Sequence, residues 1–184
     1  NIDWSKLDVT TFSWQKCLGG EGGHGMIILS PKAVERINSY NPQWPIPKLF
    51  QLKKNGKLNI DIFSGSTINT PSMLCVEDYI DALNWSIDIG GLAELIKRSK
   101  NNLNIIAEWV SNSHWVDFLS ENFDTVSNTS ICLKLIDSKI INQSLEVKNN
   151  IEKNIIKLLE DENIAFDIGS YRSAPPGLRI WGGP

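Results

Sequence analysis

An α/β chain is predicted by three patterns in these 184 residues. A β-branched and aromatic run from Leu7 to Lys16 and a short apolar run, Gly25-Met26-Ile27-Ile28-Leu29, flank a glycine-rich loop and read as strands. Two long stretches with apolar residues three, four and seven positions apart, reaching Asp88 and Val110, read as helices. After them come a strand, a helix and another strand, the succession of a small α+β unit whose sheet is covered on one face. The pair Gly90-Gly91 between the long helices either divides two domains, residues 1–90 and 91–184, or kinks a single helix.

The first strand ends on Lys16 and opens into Cys17-Leu18-Gly19-Gly20-Glu21-Gly22-Gly23-His24-Gly25, with five glycines in seven positions. Such a loop lets backbone approach a ligand or another segment closely. An amine acts as a covalent catalyst only when deprotonated, and apolar surroundings favour that form. Trp14, Cys17 and Leu18 surround Lys16 in sequence, and no acid after it comes before Glu21. Lys16 is therefore either a solvated lysine at a strand end or a catalytic amine presented by the loop. The glycine spacing matches a dinucleotide fingerprint, but that fingerprint requires a helix next, and a strand-like run follows instead. A Walker loop fails as well, because no Gly-Lys-Ser/Thr closes the segment.

Ser30-Pro31 is a helix start, with a capping hydroxyl and a proline preset for the first turn, leading through Lys32 to Ile37. Pro42, Pro45 and Pro47 exclude regular structure around Trp44. Asn55-Gly56 signals a tight hairpin whose lysines, Lys53, Lys54 and Lys57, form a solvated edge or bind an anion. Thr70-Pro71 repeats the helix-start pattern. Its hydroxyl either caps free amides or, with them, binds a phosphate. The helix expected from there to Asp88 shows Val76, Ile80, Leu83 and Ile87 on one face, and the next carries Leu92, Leu95, Ile96, Leu103, Ile106 and Val110. Thr129–Ile136 reads as a strand, Leu145–Glu160 as an amphipathic helix and Ile164–Ile168 as a strand.

A hydrophobic content of 41% supports a substantial core, and a net charge of -3 gives no electrostatic footprint for nucleic acid or an anionic membrane. Three scattered cysteines, Cys17, Cys75 and Cys132, argue for a reducing compartment rather than a disulfide framework. Two separate histidines, His24 and His114, suggest no metal site, and no apolar run reaches membrane-spanning length. The closing stretch, Tyr171-Arg172-Ser173-Ala174-Pro175-Pro176-Gly177-Leu178-Arg179-Ile180-Trp181, places Arg179 in an apolar run, where a guanidinium demands an anion. That anion is either a structural Asp or Glu or a substrate carboxylate or phosphate.

Three segments carry a family resemblance: FSWQKCLGGEGGHGMIILSP at 12–31, INTPSMLCVED at 68–78 and YRSAPPGLRIWGG at 171–183. Together and in this order they resemble the phosphoserine aminotransferases, class V, fold-type I enzymes that use pyridoxal 5'-phosphate. The chain resembles their C-terminal half. The resemblance implies that residues 1–90 are the end of the large cofactor domain and its mixed sheet, and residues 91–184 a small, truncated α+β domain. By motif match Lys16 holds the cofactor and moves a proton at the substrate Cα, and Gln15 contacts the cofactor. Asn69 and Thr70 reach the cofactor phosphate of the other subunit in a homodimer with a shared active site. Arg179 takes the substrate α-carboxylate and Arg172 the substrate phosphate.

The implied reaction is cytoplasmic, ping-pong amino transfer from glutamate to 3-phosphohydroxypyruvate, giving phosphoserine and 2-oxoglutarate, with no metal, nucleic acid or membrane involved. In the family the acid for the pyridinium nitrogen, the ring-stacking aromatic and most of the phosphate cup lie upstream of the lysine strand. The chain by itself is accordingly expected to be inactive. Two alternatives stay open. A serine–glyoxylate type of class V enzyme would keep Lys16 without a use for Arg172, and a non-catalytic remnant would not be expected to keep Lys16, Thr70 and Arg179 together.

Overall fold

Two antiparallel strands frame the glycine-rich loop in the computed structural model, which describes residues 2–184. β1 (Val9–Ser13) pairs with β2 (Gly25–Leu29), from Val9 opposite Leu29 to Ser13 opposite Gly25. The strand does not reach Lys16, which corrects the sequence reading. The Trp14 N–H donates to the His24 carbonyl at 3.2 Å and the Gly20 N–H to the Trp14 carbonyl at 2.9 Å, so the chain turns inward before the lysine. Both faces of the hairpin expose apolar residues, including Val9, Phe12, Ile27 and Ile28.

α1 (Pro31–Ser39) starts as its sequence indicates: the Ser30 hydroxyl accepts from the Ala33 N–H at 3.1 Å, with Pro31 in the first turn. β3 (Lys53–Lys54) and β4 (Lys57–Leu58) form the expected hairpin. Asn55 and Gly56 have φ of 51° and 79°, the paired positive values that a two-residue turn between twisted strands requires. Lys53 is neither a solvated edge nor an anion site. Its Nζ donates to the carbonyls of Asn38 at 3.1 Å and Tyr40 at 3.0 Å, and to Asn41 Oδ1 at 3.0 Å, so its charge satisfies the C-terminal end of α1.

α2 (Met73–Asp88) begins later than Thr70-Pro71 indicates. Ser72 is the capping residue: its hydroxyl accepts from the Cys75 N–H at 3.4 Å and its carbonyl from the Val76 N–H at 3.1 Å. The buried side of α2 also differs from the apolar stripe in the sequence. Cys75 and Ser86 are buried, Tyr79 and Ala82 are half-buried between them, and Ile80, Leu83 and Ile87 are exposed. The helical period is as read, but the phase is rotated, because the stacking of Tyr79 on Trp14 fixes which side of the helix turns inward. Gly90, with φ of 115°, separates α2 from α3 (Gly91–Ser111).

The chain forms two compact units that divide within α2, the first running to Trp85 and the second spanning Ser86–Pro184. In the second unit β5 (Val116–Phe118), β6 (Ser130–Leu135) and β7 (Gly177–Trp181) form an antiparallel sheet in that order, and α4 (Leu145–Asp161) lies between β6 and β7 in sequence. β6 is central and alternates strictly, with Ile131, Leu133 and Leu135 buried. They pack with Val110, Val116, Phe118 and Leu178, and with Leu103 and Ile106 of α3 and Ile151 and Ile155 of α4.

The strand expected at Ile164–Ile168 is absent. Asn163 and Asp167 have φ of 55° and 51°, which breaks an extended run, and Ile164 and Phe166 point to solvent. What remains of pairing there is the Arg179 N–H donating to the Ile168 carbonyl at 2.8 Å and a bridge between Gly169 and Leu178. β5 and β7 take the flanking places in the sheet.

Candidate functional site

In the first unit the glycine loop is a closed backbone structure that presents Lys16. The His24 carbonyl accepts from both the Trp14 N–H and, at 3.3 Å, the Ser13 hydroxyl, and the Gly19 N–H donates to the Lys16 carbonyl at 3.0 Å. Gln15, Lys16 and Cys17 are exposed at the turn while Trp14 and Gly20 are buried beneath it. The Gln15 N–H donates to the Ser13 hydroxyl at 3.3 Å, and its side-chain oxygen lies against Gly22, where a Cβ would collide with it. Partial burial pushes the Cys17 thiol above its ordinary range. Desolvation thus disfavours the thiolate beside Lys16.

Beneath the turn, Trp14 is stacked between His24, 5.5 Å away between ring centres, and Tyr79 of α2, 4.4 Å away and nearly parallel at 8°. His24 Nε2 accepts the Ser72 N–H at 3.2 Å across 48 positions of sequence. The lysine loop and the segment bearing Asn69 and Thr70 are thus brought together through His24 and Ser72. Because Nε2 accepts, the neutral ring carries its proton on Nδ1. That Nδ1 and Trp14 Nε1 are both buried without a hydrogen-bond partner among the described residues. Two buried N–H donors facing no acceptor call for oxygen from a ligand or another chain segment. Glu21, in the same loop, accepts the Cys75 thiol at 3.8 Å.

His24 and its stack are what sequence reasoning left unassigned, since nothing local links Trp14, His24, Ser72 and Tyr79. Replacing His24 by Phe is expected to keep the stack and remove the acceptor, costing about 1 kcal/mol and raising Ser72 amide hydrogen exchange roughly five-fold. Gln, which restores an acceptor oxygen, should reverse most of that. Unchanged exchange in the Phe variant would mean that His24 does not hold this segment.

In the second unit Arg179 lies on β7 opposite Cys132, its side chain 24% exposed. Its Nη2 donates to Asp167 Oδ2 at 3.0 Å and to the Asp167 carbonyl at 3.2 Å, and the guanidinium lies over the Tyr171 ring, 4.6 Å from its centre. The anion that the sequence demands is thus an aspartate in this structure. The Tyr171 hydroxyl, hydrogen-bonded to Ser130 at 2.8 Å and near the Arg179 charge, is held below the ordinary phenol range. Arg172 is exposed in the turn that the Ala174 N–H closes onto the Tyr171 carbonyl at 2.9 Å. Asp167 and Tyr171 escaped sequence reasoning, although an acid twelve residues before Arg179 was the available signal.

Among the described residues no helix is long and apolar enough to cross a membrane, and no group of three or more His, Cys, Asp or Glu side chains could hold a metal ion. No family model matches the sequence. The chain is 52% identical over 183 residues to phosphoserine aminotransferase of Methanosarcina mazei and 53% identical over 185 residues to that of Methanosarcina barkeri. Each match takes in 100% of this chain and 47% of the relative, so the chain spans about half the length of the curated relatives it matches. Among solved structures, a phosphoserine aminotransferase from Cytophaga hutchinsonii superposes with a TM-score of 0.66 at 20% identity, covering 99% of this chain and 46% of that one. An alanine–glyoxylate aminotransferase from Nostoc sp. superposes with a TM-score of 0.68 at 17% identity, covering 97% and 43%. The chain therefore has the fold of a part of these aminotransferases.

Proposed function

We propose that the chain, similar over its whole length to phosphoserine aminotransferases about twice as long, corresponds to their C-terminal half and supplies the lysine and the carboxylate-binding arginine of a phosphoserine transaminase. The observation that carries this reading is the similarity, at 52% and 53% identity over the whole of this chain, to relatives of that name. The structural likeness does not choose the substrate, since an alanine–glyoxylate aminotransferase is as near in fold.

The residues fit pyridoxal phosphate. Lys16 offers a primary amine at an exposed turn beside Gln15. The segment bearing Asn69 and Thr70, tied to that loop by the Ser72–His24 hydrogen bond, carries amide and hydroxyl donors suited to phosphate oxygens. The ring N–H groups of Trp14 and His24 beneath the turn lack an acceptor among the described residues. When bound, that cofactor supplies the electron sink for amino transfer. The chain's residues supply the rest. Lys16 holds the cofactor through Nζ and then moves a proton at the substrate Cα as general base and acid. Arg179 fixes the substrate α-carboxylate, and Arg172 takes the phosphate of 3-phosphohydroxypyruvate. Gln15 steadies the cofactor beside Lys16, while Asn69 and Thr70 contact the cofactor phosphate of the second subunit of a cytoplasmic homodimer.

In this reading residues 1–90 belong to the cofactor domain and 91–184 to the small domain. The exposed apolar residues of the β1–β2 hairpin and of α2 are surfaces for the remaining length of such an enzyme and its second subunit to cover. The chain alone is then inactive.

The test uses the protein from the complete reading frame, loaded with pyridoxal phosphate. Glutamate should convert the cofactor to its amine form, and 3-phosphohydroxypyruvate should restore the aldehyde. Restoration by glyoxylate and not by 3-phosphohydroxypyruvate would replace this reading with the glyoxylate type.

A further inference from the structure

The geometry around Arg179 points to Asp167 as a built-in competitor: its carboxylate occupies the guanidinium until a substrate carboxylate displaces it, and so sets how tightly substrate binds. This rests on the proposed role of Arg179 as the substrate-carboxylate residue.

The pairing is asymmetric. Arg179 is mostly buried, whereas the Asp167 side chain is 93% exposed, so the carboxylate can swing into water without opening the core. The backbone of Asp167 is held independently of that carboxylate. The Ile168 carbonyl accepts the Arg179 N–H at 2.8 Å, and the Ser170 N–H donates to Oε1 of the buried Glu152 at 2.8 Å. The Asp167 carbonyl accepts from Arg179 Nη2 at 3.2 Å, and Tyr171 covers the guanidinium face. When the carboxylate leaves, the guanidinium stays aimed by contacts that do not compete for an anion's place. An incoming carboxylate then exchanges one ion pair for another, as substrate recognition requires if a buried cation is never to be left bare.

An ion pair with one exposed partner is weak, so removing it should tighten substrate binding modestly. Asp167 has φ of 51°, and Asn and Gly are the residues that accept that conformation best. Asp167→Asn and Asp167→Gly therefore preserve the backbone by different means. In the holoenzyme both are expected to lower KM for glutamate about two- to five-fold with kcat unchanged. The inhibition constant of maleate, a dicarboxylate with no amino group to transfer, should fall by the same factor. The difference from wild type should shrink in about 1 M KCl, where exposed charges are screened. Arg179→Lys, made in parallel, is expected to raise KM for glutamate at least ten-fold.

An unchanged or raised KM in both Asp167 variants, with Arg179→Lys still impaired, overturns the competitor role and leaves the Arg179 assignment standing. An unchanged KM in Arg179→Lys overturns that assignment and the inference with it.

Discussion

Replacing Lys16 by alanine is expected to reduce turnover of the holoenzyme by at least about 10³-fold, because in its proposed role one side chain provides both the covalent hold on the cofactor and the proton transfer at Cα. Lys16→Arg should be equally inactive. It preserves the positive charge, but a guanidinium stays protonated and cannot serve as the nucleophile. The loop should survive both changes. Its closure runs through the backbone of Trp14, Gly20 and His24 and through the ring stack beneath, while Lys16 itself is exposed at the turn. Stability should therefore fall by no more than about 1 kcal/mol, read as a melting temperature within several degrees of wild type. Substantial turnover in Lys16→Ala would remove the lysine from the chemistry.

The second large effect is expected at Gly177, a residue that looks like a turn glycine in Pro175-Pro176-Gly177 and is in fact the first residue of β7. It pairs with Lys134, and a Cβ built on it would run into the Leu133 carbonyl of β6. The obstacle is backbone in the central strand, so no side-chain rotation relieves it. Gly177→Ala should cost at least about 3 kcal/mol, the upper range for overpacking. For a unit of this size that lowers the melting temperature by more than about 10 °C. Two residues further along the same strand is Arg179, so on its proposed role as the carboxylate-binding arginine KM for glutamate should rise even where the variant remains folded. A wild-type melting curve for Gly177→Ala would contradict the observed register of β6 and β7.

Where a feature depends on neighbouring residues, the sequence reading and the structure coincide. The Ser30-Pro31 cap, the Asn55-Gly56 turn, the alternation of Ile131, Leu133 and Leu135 and the break at Gly90 are each written in two to six adjacent positions. The reading fails where distant contacts decide. Ile164–Ile168 has strand propensity, yet the positive φ of Asn163 and Asp167 and the pairing of Arg179 with Ile168 turn it into a loop around the guanidinium. On α2 the period is legible and the phase is not, because Trp14, far away in sequence, selects Tyr79 as the inward residue. Thr70 looks like a cap, but Ser72 is equally able and stands next to the first turn.

The candidate site divides in the same way. Lys16 and Arg179 stand out as single residues in unusual settings, a lysine before a glycine loop and an arginine in an apolar run. Their supports do not. The His24–Ser72 hydrogen bond and the Asp167–Arg179 pair become visible only when the chain is folded.

The assignment of Lys16 as the cofactor lysine is tested most directly by chemical trapping. The protein from the complete reading frame is incubated with pyridoxal phosphate and reduced with borohydride, which fixes the cofactor to whichever amine holds it. It is then digested and mapped by mass spectrometry. The expected result is one modified peptide carrying Lys16, lost in Lys16→Ala. Modification at other lysines, such as Lys54 or Lys57, with Lys16 unmodified would contradict the assignment.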